Sequence, residues 1–253
     1  PLRVFWKVTL PLIRQPLPDA ARLRAERLQA KVIAARISKY NLSAMPSPDL
    51  PQGLRLLIPG QVEDDASIRL GAGTVNTNLG LLQAARAAHP DAILIYKPHP
   101  DVEAGLRPGA VADDDLRRLA DVVARHADPL HLIEHCDQVF TMTSLLGFEA
   151  LLRHKPVTCL GAPFYAGWGL TTDLGPIPLR RSRAPDGHPL PRPDLAGLIH
   201  ACLIAYPRYY DPVSRRPCPP EVAVERLASG QGAKTGLPLR LLAKLQGQFA
   251  TYA

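Results

Sequence analysis

Between residues 52 and 175, short and largely apolar runs alternate with longer stretches of helical period, and this alternation constrains the fold more than any other feature. Leu54 to Pro59, Ala92 to Lys97, Leu130 to Ile133, Gln138 to Met142 and Pro156 to Leu160 read as strands. Val75 to Ala88, Asp114 to His126 and Leu145 to Arg153 read as helices. A strand with one face in water alternates polar and apolar side chains. These do not, so both of their faces must be covered. The interleaved helices supply that cover, which makes the unit α/β and Rossmann-like, built on a parallel sheet.

The flanks read differently. Pro1 to Leu17 is apolar and broken by proline; Asp19 stands where an N-cap would, and Leu23, Leu28, Val32, Ile33 and Ile37 share one side of a helix reaching about Ser38. A proline-rich boundary follows from Ala44 to Gly53. Beyond the sheet, proline and arginine dominate until Leu195, and helices are expected over Asp194 to Ala205, Pro220 to Ala228 and Leu237 to Gln248. The expected division is therefore 1–50, 51–190 and 191–253.

At 253 residues, with 46% hydrophobic and 21% charged side chains, the chain falls in the globular range. No apolar stretch approaches the roughly 20 residues of a spanning helix, and the start lacks the order of a secretory signal. Cys136, Cys159, Cys202 and Cys218 are widely spaced without a CxxC pair, so reduced structural thiols are expected and neither a metal site nor a disulfide framework. A net charge of +7 suits an anionic partner. Because the basic residues are spread through the chain, the excess by itself does not separate nucleic acid, anionic lipid and a phosphorylated ligand.

Ligands of an open parallel sheet sit at the carboxyl ends of its strands, and four loops there carry unusual residues. Gln61 to Ser67 places Glu63, Asp64 and Asp65 directly after a buried strand, as a solvated acidic turn or as a site for a carboxylate nucleophile or base. Lys97-Pro98-His99-Pro100-Asp101 is stiffened by two prolines and offers two donors to a phosphate, or is simply a rigid turn. Thr141 to Ser144 brings hydroxyls to a helix start, where they cap the helix or accompany a bound anion, with Glu149 one turn further in. Gly161 to Thr171 sets Tyr165 and Trp168 among glycines, as an apolar lid or as a packed turn.

The segments PGQVEDDAS, YKPHPDV with GLR, TMTSLLGFEALL with KPVT, and PFYAGWGLTTD, flanked by KYN (Lys39 to Asn41) and YPRYYDP (Tyr206 to Pro212), resemble the capsular polysaccharide β-Kdo transferases of the KpsC/LipA type. The resemblance covers nearly all of residues 35 to 228, in the family's order. It implies a GT-B-type glycosyltransferase, this chain holding the donor-binding half. It implies transfer of Kdo from CMP-β-Kdo, with retention, to a lipid-linked poly-Kdo linker, by a cytoplasmic enzyme peripheral at the inner face of the inner membrane. It implies no cofactor, no metal and no nucleic acid, and a possible second glycosyltransferase module in the same protein. Matched residue by residue, Asp65 would be the nucleophile and His99 the group on the CMP phosphate. Lys97, Thr143 and Ser144 would add phosphate contacts, Glu149 the ribose contact, and Gln61 and Ser67 would line the pocket. Tyr165 and Trp168 would lie on the sugar or acceptor side. Family modules also carry an upstream acceptor half with a Glu-Asp-Gly-Phe-type segment. No such pattern precedes Lys39, so residues 1–50 are expected to be its remnant, and the alternative function is an inactive module that binds CMP or CMP-Kdo.

Overall fold

The computed structural model describes residues 11–38, 48–184 and 186–231. In chain order its elements are α1 (Asp19–Ala34), β1 (Arg55–Pro59), α2 (Ala66–Gly71), α3 (Asn78–Ala88), β2 (Ile93–Lys97), α4 (Pro100–Glu103), α5 (Asp113–Leu119), β3 (Val122–Val123), α6 (Pro129–His135), β4 (Gln138–Thr141), α7 (Leu145–Leu152), β5 (Val157–Cys159), β6 (Thr172–Asp173), α8 (Leu195–Ile199), β7 (Tyr209–Asp211), β8 (Arg216–Cys218) and α9 (Pro220–Ala228). Six strands form one sheet in the order β3-β2-β1-β4-β5-β6, every neighbouring pair parallel.

The absence of polar alternation in the strands is explained by what lies on each face. Leu56, Ile58, Leu94, Tyr96 and Phe140 point to one side, where they meet Leu81, Leu82 and Ala85 of α3 and Leu116 and Leu119 of α5. Leu57, Ile95, Val139, Val157 and Cys159 point to the other, onto Leu132 and Ile133 of α6 and Phe148, Leu151 and Leu152 of α7. Two apolar clusters sandwich the sheet, so its strands carry apolar side chains on both faces.

The second cluster also takes in Ile13, Ala25 and Val32 from the first flank and Ala196, Leu198 and Ile199 from the last. The described parts of 1–50 and 191–253 thus share a core with the sheet domain. Bidentate Arg24–Glu221 contacts at 2.8 and 3.1 Å and a Lys31–Glu225 contact at 2.8 Å join α1 to α9. Being exposed, these pairs fix orientation more than they add stability.

Three expected elements differ. Leu130 to Ile133 is the middle of a helix, α6, and not a strand. Asp128 caps it by accepting from Leu130 N–H at 2.9 Å, and Pro129 occupies its first turn. An Asp-Pro pair of this kind marks a helix start and outweighs a short apolar run. The helix expected over Asp114 to His126 stops at Leu119, and the short edge strand β3 follows. There Asp121 accepts from Leu94 N–H at 2.8 Å and from Arg86, tying the turn to β2. The first helix ends at Ala34 with Arg36 at positive φ, and its N-cap is Pro18, which leaves Asp19 in the first turn where the helix dipole favours an acid.

Asp194 caps α8, which continues as a π-helical turn over His200–Ala205, while Pro220–Ala228 is helical as expected. The hairpin β7–β8 between them has no counterpart in the sequence reading. Lys39 to Asn41 and the helix expected over Leu237 to Gln248 lie outside the described residues. All four cysteines are free, and burial pushes Cys136 up to about 11 and Cys159 and Cys202 up to about 12, so those three thiols stay protonated in the core.

Candidate active site

In the strand order β3-β2-β1-β4-β5-β6, the chain runs outward from β1 in one direction and from β4 in the other. The crevice at the carboxyl ends of these two strands is the topological switch point of a doubly wound sheet. A cavity of about 640 Å³ opens there. Its walls are the loops after β1, β2 and β4, and it is lined by Gln61, Asp65, Ser67, Lys97, His99, Thr143, Ser144 and Glu149. Eight of the ten residues singled out from the sequence therefore meet in one place.

Gln61 stitches two of these loops together. Its buried amide donates from Nε2 to Thr143 Oγ1 at 2.9 Å and accepts at Oε1 from Thr143 N–H at 2.9 Å. Its backbone N–H donates to Asn78 Oδ1 at 2.8 Å, and Asn78 Nδ2 returns bonds of 2.7 Å to the carbonyls of Gln61 and Gly109. Asn78 is fully buried. A buried amide that satisfies three backbone groups rigidifies the loops it joins.

The three consecutive acids have three different roles. Glu63 accepts from Asn78 N–H at 2.7 Å, and Asp64 pairs with Arg107 at 2.6 Å. Asp65 is the N-cap of α2, where Oδ1 accepts from Ser67 N–H at 2.8 Å, and it alone of the three lines the cavity. The capping bond holds the carboxylate of Asp65 at the rim in a fixed position.

Across the cavity the donors share a common arrangement. His99 Nδ1 accepts from Asp101 N–H at 3.2 Å, which places the proton of a neutral ring on Nε2. Ser144, the N-cap of α7, accepts from Leu146 N–H at 3.2 Å, and Thr143 Oγ1 accepts from Gln61. A hydroxyl that already accepts from the protein has its own hydrogen to give. Lys97 is buried in the wall with Nζ 3.4 Å from Glu103 Oε2, and Glu103 in turn accepts from His126 N–H at 3.3 Å. Glu149 is a buried carboxylate within the wall. A set of hydroxyl, imidazole and ammonium donors at the start of a helix is chemically suited to a phosphate.

Tyr165 and Trp168 are not part of this site. Their side chains are 0% and 1% exposed and belong to the core cluster beneath the sheet. Tyr165 donates to the carbonyl of Ser144, and Trp168 Nε1 donates to the carbonyl of Phe164 at 2.8 Å. The loop that carries them is drawn inward by the buried Arg181, whose guanidinium donates to the carbonyls of Pro163, Ala166 and Ala162 at 2.6–2.9 Å. Burial keeps the Tyr165 phenol protonated, hence a donor. The expected sugar-side or acceptor-side role of this aromatic pair is thereby corrected: Tyr165 buttresses the helix that Ser144 caps, and Trp168 fills the core and ties down its own loop. At Gly147 in that helix any Cβ would lie 2.2 Å from Tyr165 Oη, so the approach requires glycine.

The sequence reading assigned no role to Asn78, Glu103, Arg107 or His126. Arg107 is inside the GLR segment and its charge was a visible signal. Nothing local marks Asn78 or Glu103, whose partners are 15 to 31 and 6 to 23 residues away.

Fold and site together define a Rossmann-like α/β domain with a donor-rich crevice at its switch point. The chain belongs to the family described as capsule polysaccharide biosynthesis protein, whose pattern it matches over residues 13–209. It is 46% identical over 218 residues to the capsule polysaccharide modification protein LipA of Neisseria meningitidis serogroup A, a match covering 85% of this chain and 30% of LipA. It is 42% identical over 189 residues to the lipopolysaccharide-processing protein LpsZ of Rhizobium meliloti, covering 74% of this chain and 41% of LpsZ. The chain thus spans less than half the length of these curated relatives. Among solved structures it superposes on Thermosulfurimonas dismutans KpsC, beta Kdo 2,4 transferase, with a TM-score of 0.75 and 32% identity, over 87% of this chain and 67% of that one. With KpsC, beta Kdo 2,7 transferase, of the same organism the TM-score is 0.70 and the identity 31%, over 90% and 66%.

Proposed function

We propose that this chain is the donor half of a retaining glycosyltransferase that moves Kdo from CMP-β-Kdo to a lipid-linked Kdo acceptor in capsule biosynthesis. The observation that carries the proposal is the convergence of Thr143, Ser144, His99 and Lys97 on the cavity that has Asp65 at its rim. Solved KpsC structures that share the fold at 31% and 32% identity are beta Kdo transferases, which supports the sugar.

In this reading the cytidylate phosphate is met by the hydroxyls of Thr143 and Ser144, by Nε2–H of His99 and by Nζ of Lys97, and Glu149 accepts from the ribose. Asp65 attacks the anomeric carbon. The bond from that carbon to the phosphate oxygen breaks, and CMP leaves with the electron pair. The covalent Kdo–Asp65 adduct is then opened by an acceptor hydroxyl, whose proton passes to a base, and two inversions give net retention. The acceptor being lipid-linked, the reaction would take place at the inner face of the inner membrane, by peripheral attachment. No helix among the described residues is long and apolar enough to cross a membrane. A second glycosyltransferase module in the same protein would extend the product.

A mass increment of one Kdo on the chain after incubation with CMP-Kdo tests the chemistry. Asp65→Asn removes the increment and leaves the fold intact, because asparagine caps a helix as well as aspartate. The capping bond from Ser67 N–H to Asp65 favours one rival, a module that binds CMP or CMP-Kdo without turnover, in which Asp65 only caps. That rival predicts binding of CMP without any adduct in the wild type. An adduct that persists in Asp65→Asn would place the nucleophile elsewhere.

A further inference from the structure

Arg107 is the only arginine among the described residues that line the cavity. Its backbone is anchored on both sides. Leu106 N–H and Arg107 N–H donate to the carbonyl of Asp101 at 2.8 and 3.2 Å, and Glu63 N–H donates to the carbonyl of Pro108 at 3.2 Å. Gly109, at φ +129°, gives its carbonyl to Asn78, which in turn holds Gln61. A fixed backbone thus delivers the guanidinium to the rim, where Nη2 meets Asp64 Oδ1 at 2.6 Å, one residue from Asp65. Both side chains of this pair are more than two-fifths exposed, at 41% and 45%, and Asp64 holds the fork by one oxygen. An ion pair of this kind is weak, and its arginine can exchange partners at little cost.

In a 2-keto sugar acid the anomeric carbon itself bears a carboxylate. Whichever residue attacks that carbon therefore brings the carboxylate to its own neighbours. Thr143 and Ser144 stand on the loop after β4, whereas Arg107, on the same β2-to-α5 connection as His99, is paired with Asp64, the residue before Asp65. Resting on the donor reading above, we propose that Arg107 is the specificity residue for the sugar: it leaves Asp64 and takes the carboxylate of the donor as a two-pronged charged pair. A nucleotide sugar without that carboxylate would leave the fork on Asp64.

The test measures dissociation constants of CMP and of freshly made CMP-Kdo for the full chain and for Arg107→Ala, Arg107→Lys and Asp64→Asn. In Arg107→Ala, CMP binding stays within about twofold while CMP-Kdo binding falls about tenfold or more, since even one prong of a charge-assisted pair is worth that much. Arg107→Lys, a charge without the fork, recovers part of that loss. Asp64→Asn moves the other way and tightens CMP-Kdo, because the competitor for the guanidinium has lost its charge. An equal loss of CMP and CMP-Kdo in Arg107→Ala overturns the proposal, since Arg107 would then serve the phosphate or the loop. Unchanged binding of both overturns it too. Weaker CMP-Kdo binding in Asp64→Asn, parallel to Arg107→Ala, would make the pair a structural latch and sink the idea. A wild type that binds neither ligand defeats the donor reading itself, whereas one that binds CMP but shows no Arg107-dependent selectivity defeats only this proposal.

Discussion

The loop after β2 and the loop after β5 look alike in sequence and do opposite things. Each leaves the carboxyl end of a buried parallel strand, and each carries at least one proline and conspicuous side chains. Lys97 to Asp101 opens onto the cavity. Gly161 to Thr171 turns inward, and its Tyr165 and Trp168 are sealed in the core. The difference lies in the sheet order. β2 and β4 flank β1 at the switch point, while β5 lies beyond β4, with β6 at its outer edge. A strand end is thus a necessary address for a site and not a sufficient one.

The largest effect that can break this comparison is on stability. Trp168→Ala empties a fully buried indole from the core and should cost about 3–5 kcal/mol, read from a denaturant-unfolding midpoint. Asp65→Asn, at the exposed rim, should leave that midpoint within about 0.5 kcal/mol of wild type. If Trp168→Ala unfolds like the wild type and instead loses sugar binding, the inward assignment of the β5 loop is wrong.

The next effect is on binding. His99→Ala removes the Nε2 donor and should weaken CMP by about 1.5–3 kcal/mol if the bond is to a phosphate. Its structural cost is small, since His99 caps only a four-residue helix. Titration with CMP decides the point. An unchanged constant would leave the loop after β2 as a rigid turn, no more functional than its counterpart after β5.

How much of this was legible follows from the range of each interaction. The central strands were readable because two covered faces forbid polar alternation at Leu56 to Ile58 and Ile93 to Tyr96. Leu130 to Ile133 was misread because a four-residue run with three apolar side chains fits either period, and the arbiter, Asp128-Pro129, lay just upstream. The cavity residues were readable because each lies at the end of a strand or on the loop and first helical turns that follow it. The inward turn of the β5 loop was not. It depends on Arg181, 15 to 19 residues away, whose three bonds to carbonyls hold the loop down. From the sequence, an arginine among prolines and other arginines is indistinguishable from a solvated one. Likewise Asn78 and Glu103 carry no local sign of the loops they join.

Tyr165 gives the finest discrimination, because it is where the β5 loop touches the helix start that borders the cavity. Its hydroxyl donates to the carbonyl of Ser144, so it could be a buttress of the site or, on the sequence reading, a contact for the sugar. Tyr165→Phe keeps the ring and removes only that donor. The Ser144 carbonyl also accepts from Gly147 N–H at 3.1 Å, so the change does not orphan it. The stability cost should therefore fall at the low end of the range for a neutral hydrogen bond, about 0.5–1 kcal/mol. If Tyr165 is a buttress, the melting temperature drops slightly, and the constants for CMP and CMP-Kdo shift together by less than about twofold. If it touches the sugar, CMP-Kdo weakens alone and the melting temperature holds. A residue with no exposed surface has nothing to offer a ligand, and on that ground the first outcome is the expected one.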